Sequence, residues 1–313
     1  RLPVEHFIAG FICLALGGAG LVWIAPALAA GAFVSTRVVA VVHLFTLGFI
    51  SMSILGALYQ FLPVAVNTPI RSQRLAHLTF ALFLLGIVVF LAGLLAAPPL
   101  LPLGGGLTAL ALTLFAGNFI ATLARAKERS VTWWALAGAA FFLVVTLGLG
   151  FTLALNLRTG LLLGGRFETL LIHVHVALGG WALLVMVGVG HRLLPMFMLS
   201  HGATQLPSRI AVAGLAAGTV LLALPLGTPV RLAGFVLAAA GVVAAAHAGR
   251  VGLADGVLQA TVAAMHDAGA KQITAWIGPH ICGRCYEVPE TMAAEVGQRV
   301  PGSRGTTDRG TPG

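Results

Sequence analysis

Apolar residues run along this chain in seven stretches, at about 7–31, 38–64, 78–98, 104–124, 132–156, 169–191 and 209–226, with an eighth candidate at about 230–248. A stretch of about 20 apolar residues is long enough to cross a bilayer as an α-helix. The breaks between them carry Pro, Gly or Arg: Pro69 to Arg74, Pro98 and Pro99, Arg125 to Arg129, Arg158 to Arg166, and Pro207 to Arg209. Backbone groups in lipid must bond internally, so helix is the structure these spans require. The pattern predicts an all-α polytopic membrane bundle of seven to eight transmembrane helices over 1–228. Residues 229–248 are an eighth helix or a junction. A small, incomplete α/β fragment follows over 249–313.

Composition and charge sharpen that division. The chain is 58% hydrophobic and 9% charged, where a soluble domain carries about 25% charged residues. Residues 1–250 hold 13 basic and 3 acidic side chains, and residues 251–313 hold 5 and 6. The net charge of +9 comes from arginines spread singly between apolar runs, so no basic patch for nucleic acid forms. Their role is topological. The loops after spans two, four and six hold Arg71, Arg74, Arg125, Lys127, Arg129, Arg192 and Arg209. The other loops hold Arg37, Arg158, Arg166 and Arg231. That bias puts the N-terminus and the C-terminal segment in the cytoplasm of a bacterial-type inner membrane. The lipid bilayer is the first expected partner. Three cysteines give no disulfide framework, and Cys13 lies in an apolar helix as packing. The chain opens with Arg1 and closes in a Gly/Pro/Thr stretch, which reads as a fragment at both ends.

Spans two and six share a pattern. HLFTLGFISMSILGALYQFLP runs from His43 to Pro63, and HVALGGWALLVMVGVGHRLLP from His175 to Pro195. Both fit H-x4-G-x7-G-x5-L-P, offset by 132 residues, with Tyr59 in one where His191 stands in the other. The match predicts an internal repeat. Both spans have even rank and so run the same way, which places the two histidines at similar depth near the outer face. The twin glycines would admit a close helix or a flat cofactor. Two neutral imidazoles at one depth are what bis-histidine haem ligation needs. Between residues 6 and 250 the carboxylates are Glu128 and Glu168, both in loops, which argues against a proton or cation pump. The alternative is that each histidine hydrogen-bonds a neighbouring helix. His173 lies two positions before His175, about 200° round the helix, so the two cannot serve one metal from one face. His191 and His201 fall at the cytoplasmic end, His77 in a loop or at the interface, and His6 is uninformative.

His173-Val174-His175 followed by Gly180 resembles the His-x-His helix of the haem–copper oxidase and nitric oxide reductase large subunit. The His43 stretch is similar to the helix carrying the other low-spin haem ligand, and HRLLPMFMLSHG after span six shares the look of shorter relatives. The resemblance covers about 5–228. It implies His43 and His175 as axial ligands of a low-spin haem b, and His173 as ligand of a second, high-spin haem. The family's copper centre takes three histidines from middle helices, and residues 78–172 contain none. The expected role is therefore electron transfer, sensing or an accessory function without copper, with respiratory-chain or haem proteins as partners.

Residues 241–313 differ in kind. They read as strand, helix (about 254–268, with Val257, Leu258, Val262 and Met265 on one side), strand (Gln272 to Ile277), loop and helix. Cys282-x-x-Cys285, with His280 before it, is half of a zinc site, a redox pair, or two packed thiols. His247-Ala248-Gly249-Arg250, the helix, and AWIGPHICGRCYEV together resemble the laccase-domain family, described as multicopper polyphenol oxidases or purine nucleoside phosphorylases. The family motif continues Trp-Arg-Gly, where Arg250, Val251 and Gly252 stand here. The resemblance implies a metal site of two His and one Cys, of which His247 matches the last ligand. The upstream ligands are missing, and Cys282 and Cys285 do not replace them by position. Zinc or copper would bind there only if the site were complete. The expectation is an inactive, truncated laccase-type oxidoreductase or phosphorylase segment fused to the membrane domain. A cofactor-free membrane protein is the remaining alternative. GVVAAAHAGR, Gly241 to Arg250, reads either as the end of the eighth helix or as the strand leading into the laccase motif.

Overall fold

The computed structural model describes residues 1–197, 206–224, 228–243, 262–263, 265–267, 271–272 and 287–312. The chain divides into two compact units: residues 1–191 with 208–244, and residues 192–207 with 245–313.

Six helices of the first unit are long and apolar enough to cross a membrane. They are α1 (Leu2–Ala29), α2 (Thr36–Ala65), α3 (Gln73–Leu95), α4 (Pro98–Leu123), α5 (Val131–Thr159) and α6 (Arg166–Leu193, continuing to Phe197). Two shorter apolar helices follow, α7 (Leu206–Ala223) and α8 (Thr228–Val243). Local sequence sets the ends. Ser35, Ser72 and Ser130 cap α2, α3 and α5, each side-chain oxygen accepting an N–H from the first turn. Gly160, at φ 67°, ends α5 in the left-handed conformation that glycine adopts without penalty.

Each helix packs on its neighbour in sequence, from α1 to α6, and α1 also touches α3. The interior holds Met52, Leu55, Phe83, Leu112, Phe115, Leu136, Leu143 and Leu184. Helices α3 and α4 approach closely, since a Cβ at Gly104 would come within 2.3 Å of the Phe90 nitrogen. The outward faces are apolar too. Phe11, Val22, Val88, Phe141 and Met186 are all more than half exposed. A helix apolar all round belongs in a large core or a membrane rather than on a wetted surface. Polar order inside the bundle is local. Asn118 on α4 accepts from the Ser72 nitrogen at 3.0 Å and donates to the Ser72 carbonyl at 2.9 Å. Thr122, one turn on, accepts from the Arg71 nitrogen at 3.0 Å. The α2–α3 connection is thereby fastened to α4.

The structure and the pattern agree on six long apolar helices, and among the described residues the seventh and eighth stretches carry the shorter apolar helices α7 and α8. The choice between helix and strand before residue 244 is settled as helix through Val243; residues 244–250 lie outside the described residues. The α/β expectation is met only in its helices. Residues 262–263 and 265–267 are helical, as is α9 (Glu290–Arg299). Among the described residues there is no strand, only an isolated bridge between Thr306 and Pro312. The stretch expected as a strand after Gln272 lies outside them. Around α9, Arg304 pairs with Glu290 and Arg309 with Glu287.

Candidate functional site

His43 closes the first α-helical part of α2, Thr36–His43, and His175 closes that of α6, Arg166–His175. The His43 Nδ1 lies 2.7 Å from the Val39 carbonyl, and the His175 Nδ1 lies 2.7 Å from the Leu171 carbonyl. A carbonyl only accepts, so in each ring Nδ1 carries the hydrogen, and in the neutral ring this leaves the lone pair on Nε2. That tautomer is the one in which a histidine ligates through Nε2 with its other nitrogen oriented by the backbone.

Each histidine is followed by eight residues of π-helix, Leu44–Ser51 in α2 and Val176–Leu183 in α6. Regular α-helix then resumes at Met52 and at Leu184. The 132-residue offset of the sequence pattern carries one π segment onto the other, end to end. Such i→i+5 segments are rare and occur frequently at functional sites. No sequence rule used above foresaw them.

The repeated glycines do something narrower than expected. A Cβ at Gly48 would meet Cys13 at 2.5 Å, and one at Gly56 would meet His6 at 2.8 Å, both on α1. A Cβ at Gly180 would meet Phe142 at 2.3 Å, and one at Gly188 would meet Ala135 at 2.6 Å, both on α5. In each copy the glycines seat the helix on the one before it. They are therefore filled by helix contacts, and the flat-cofactor role is corrected.

His173 faces α5. A Cβ at Gly150 would come within 3.0 Å of its Cε1, and its Nδ1 is buried without the backbone bond that His43 and His175 make. Its counterpart in the first copy is Val41, which presses on Gly20 of α1 in the same way. His43 lies within electrostatic range of His173 and packs its ring edge-on to Phe90, with centroids 5.2 Å apart. Between α2 and α6 stands α4. Phe115 meets Tyr59 of α2 at 5.6 Å and Trp181 of α6 at 6.0 Å.

His6 was the histidine the sequence left uninformative. It is fully buried, its Nδ1 is 2.8 Å from the Leu2 carbonyl, and its ring lies 4.7 Å from Phe80 and 5.5 Å from Tyr59. The signal available was Gly56 of the repeat, against which it packs. His77 is an exposed residue of α3. His201, His247, His280, Cys282 and Cys285 lie outside the described residues. Among the described residues, no three His, Cys, Asp or Glu side chains gather to hold a metal ion.

Residues 229–312 match the family of the multi-copper polyphenol oxidoreductase laccase. The same part of the chain is similar to purine nucleoside phosphorylases. One from Streptomyces griseus is 59% identical over 87 residues, which is 27% of this chain and 34% of that protein. One from Streptomyces coelicolor is 55% identical over 74 residues, 23% and 31% of the two chains. One from Mycobacterium tuberculosis is 46% identical over 106 residues, 32% and 41%. The chain spans about a third of the length of the curated relatives it matches. The family match begins within α8. None of these matches supports the oxidase resemblance of residues 5–228.

Proposed function

We propose that residues 1–228 form a haem b-binding domain of a bacterial-type cytoplasmic membrane, with His43 and His175 as the axial ligands. The observation that carries this reading is the matched pair. Two histidines on helices of equal direction each hold Nδ1 on the fourth preceding carbonyl, and each is followed by the same π segment. The donor set fits a low-spin haem, since both Nε2 atoms are left as bases. When bound, the haem would supply a one-electron iron couple for electron transfer, sensing or an accessory role beside other respiratory-chain or haem proteins. The chain's own contribution is to fix the two tautomers on half-buried imidazoles. His173 is not carried into this reading, because its ring lies against Gly150 as Val41 lies against Gly20. Six apolar helices with apolar outward faces support the membrane placement. The loop arginines favour a cytoplasmic N-terminus and C-terminal segment. The test is a reduced-minus-oxidised spectrum of protein expressed with haem available. Haem b bands are expected, and they should vanish in His43→Ala and in His175→Ala. A preparation without haem, or bands that persist in both variants, overturns the reading.

A second reading concerns the C-terminal segment, and 59% identity to a named phosphorylase over 87 residues favours it. It is a portion of a laccase-type domain that keeps His247 and lacks the other expected ligands. Phosphorolysis of adenosine and oxidation of a phenol are to be assayed with added zinc or copper. No turnover above the metal-only control is expected, and turnover that depends on His247 would overturn the view that the segment is incomplete.

A further inference from the structure

We propose that a cleft between α5 and α7 binds an anionic phospholipid. This rests on the membrane placement above and not on the haem. The cleft has a volume of about 530 Å³, and its lining includes Arg129, Arg209, Trp134, Val212, Ala213 and Ala216. Its chemistry is divided along its length. Arg129 immediately precedes the Ser130 cap of α5, and Arg209 lies in the first turn of α7. Two guanidiniums and two helix N-termini thus share one end, where a phosphate is favoured by charge and by the helix dipoles. Val212, Ala213 and Ala216 lie one to two turns further along α7, and Trp134 lies in the first turns of α5. That part is apolar and suits the start of an acyl chain.

The arginine end is also placed at the right depth. The Arg129 guanidinium lies 4.5 Å from the Trp133 ring centroid, and the Trp133 Nε1 donates to the Leu123 carbonyl at 2.9 Å. Trp133 and Trp134 pack edge to face at 4.9 Å, and Trp134 remains 59% exposed. Tryptophans cluster at the headgroup level of membranes. The adjoining loop holds Arg125, Lys127 and Arg129 against a single Glu128, so the local charge is positive. Basic residues beside a span attract anionic lipid.

Purified full-length chain in mild detergent is to be titrated with phosphatidylglycerol and with phosphatidylcholine of the same acyl chains, reading bound lipid by native mass spectrometry. Phosphatidylglycerol should bind roughly thirtyfold more tightly, the scale expected from two guanidiniums near a membrane surface. The double variant Arg129→Gln/Arg209→Gln should fall to the phosphatidylcholine level. Ala213→Trp, which fills the apolar part and keeps both charges, should weaken both lipids. Equal binding of the two lipids overturns the proposal. So does full phosphatidylglycerol binding by either variant, and Ala213→Trp decides alone where the double variant does not fold. Complete displacement by inorganic phosphate would mean a free-anion site and overturns the lipid. A chain that stays monodisperse without detergent would instead contradict the membrane placement itself.

Discussion

A Cβ at Gly180 would come within 2.3 Å of the Phe142 Cγ, so the Phe142 side chain of α5 rests directly on the α6 backbone there. By contrast, a Cβ at Gly148, on α5, would meet nothing within 4 Å. Replacing glycine by alanine inside a helix gains about 1 kcal/mol from propensity alone. Forcing a methyl into a filled contact costs about 1–3 kcal/mol. Gly180→Ala should therefore lower the thermal midpoint in detergent, while Gly148→Ala leaves it unchanged or raises it. The same sign of change in both variants would sink the close-approach argument.

Asn118 both accepts from and donates to the Ser72 backbone while itself buried. Asn118→Ala strands the Ser72 nitrogen and carbonyl, each at a cost of about 1–3 kcal/mol if water cannot reach it. We expect a clear fall in the denaturation midpoint. We also expect faster proteolysis in the loop between α2 and α3, visible by mass mapping of the fragments. A variant as stable and as resistant as the parent would show that α4 does not hold this loop.

His173 and Val41 occupy matching places, each pressed on a residue of the helix before it. His173→Val should accordingly fold and keep the haem content of the parent, whereas His43→Ala and His175→Ala should not. A pyridine haemochrome assay on the three proteins reads this directly. Loss of half the haem in His173→Val would return that residue to the role of a second ligand.

Glu168 and Arg231 meet at 2.6 Å, with side chains 50% and 33% exposed. Exposed ion pairs contribute about 0–1 kcal/mol. Glu168→Gln should shift the midpoint by no more than the equivalent of about 1 kcal/mol, and added salt should erase the difference. A larger, salt-insensitive loss would mean that the pair sits in a drier setting than its exposure indicates.

The six long helices were legible because runs of apolar residues this long favour helix, and breaks at Pro69, Pro98 or Arg125 declare their ends. The correspondence of His43 with His175 along their helices was legible because histidine and proline are scarce enough here for a spacing to stand out. The use of the glycines was not. A glycine marks a close approach, but its neighbour is set by packing, and Cys13 and Phe142 are nothing a pattern would single out. The burial of His6 escaped for the same reason, since its environment comes from Tyr59 and Phe80, more than fifty residues away. The π segments escaped because i→i+5 bonding has no residue preference strong enough to read. In the C-terminal part the local words, His247-Ala-Gly and the Cys282 loop, identified a relationship that the whole-chain pattern did not contain.

The two π segments lie end to end under one offset, while few of the residues inside them agree: Leu44 stands where Val176 does, Phe45 where Ala177 does, and Ser51 where Leu183 does. What the two helices share there is backbone rather than side chains. A widened turn displaces whatever follows each histidine, and it does so over the same length in α2 and in α6.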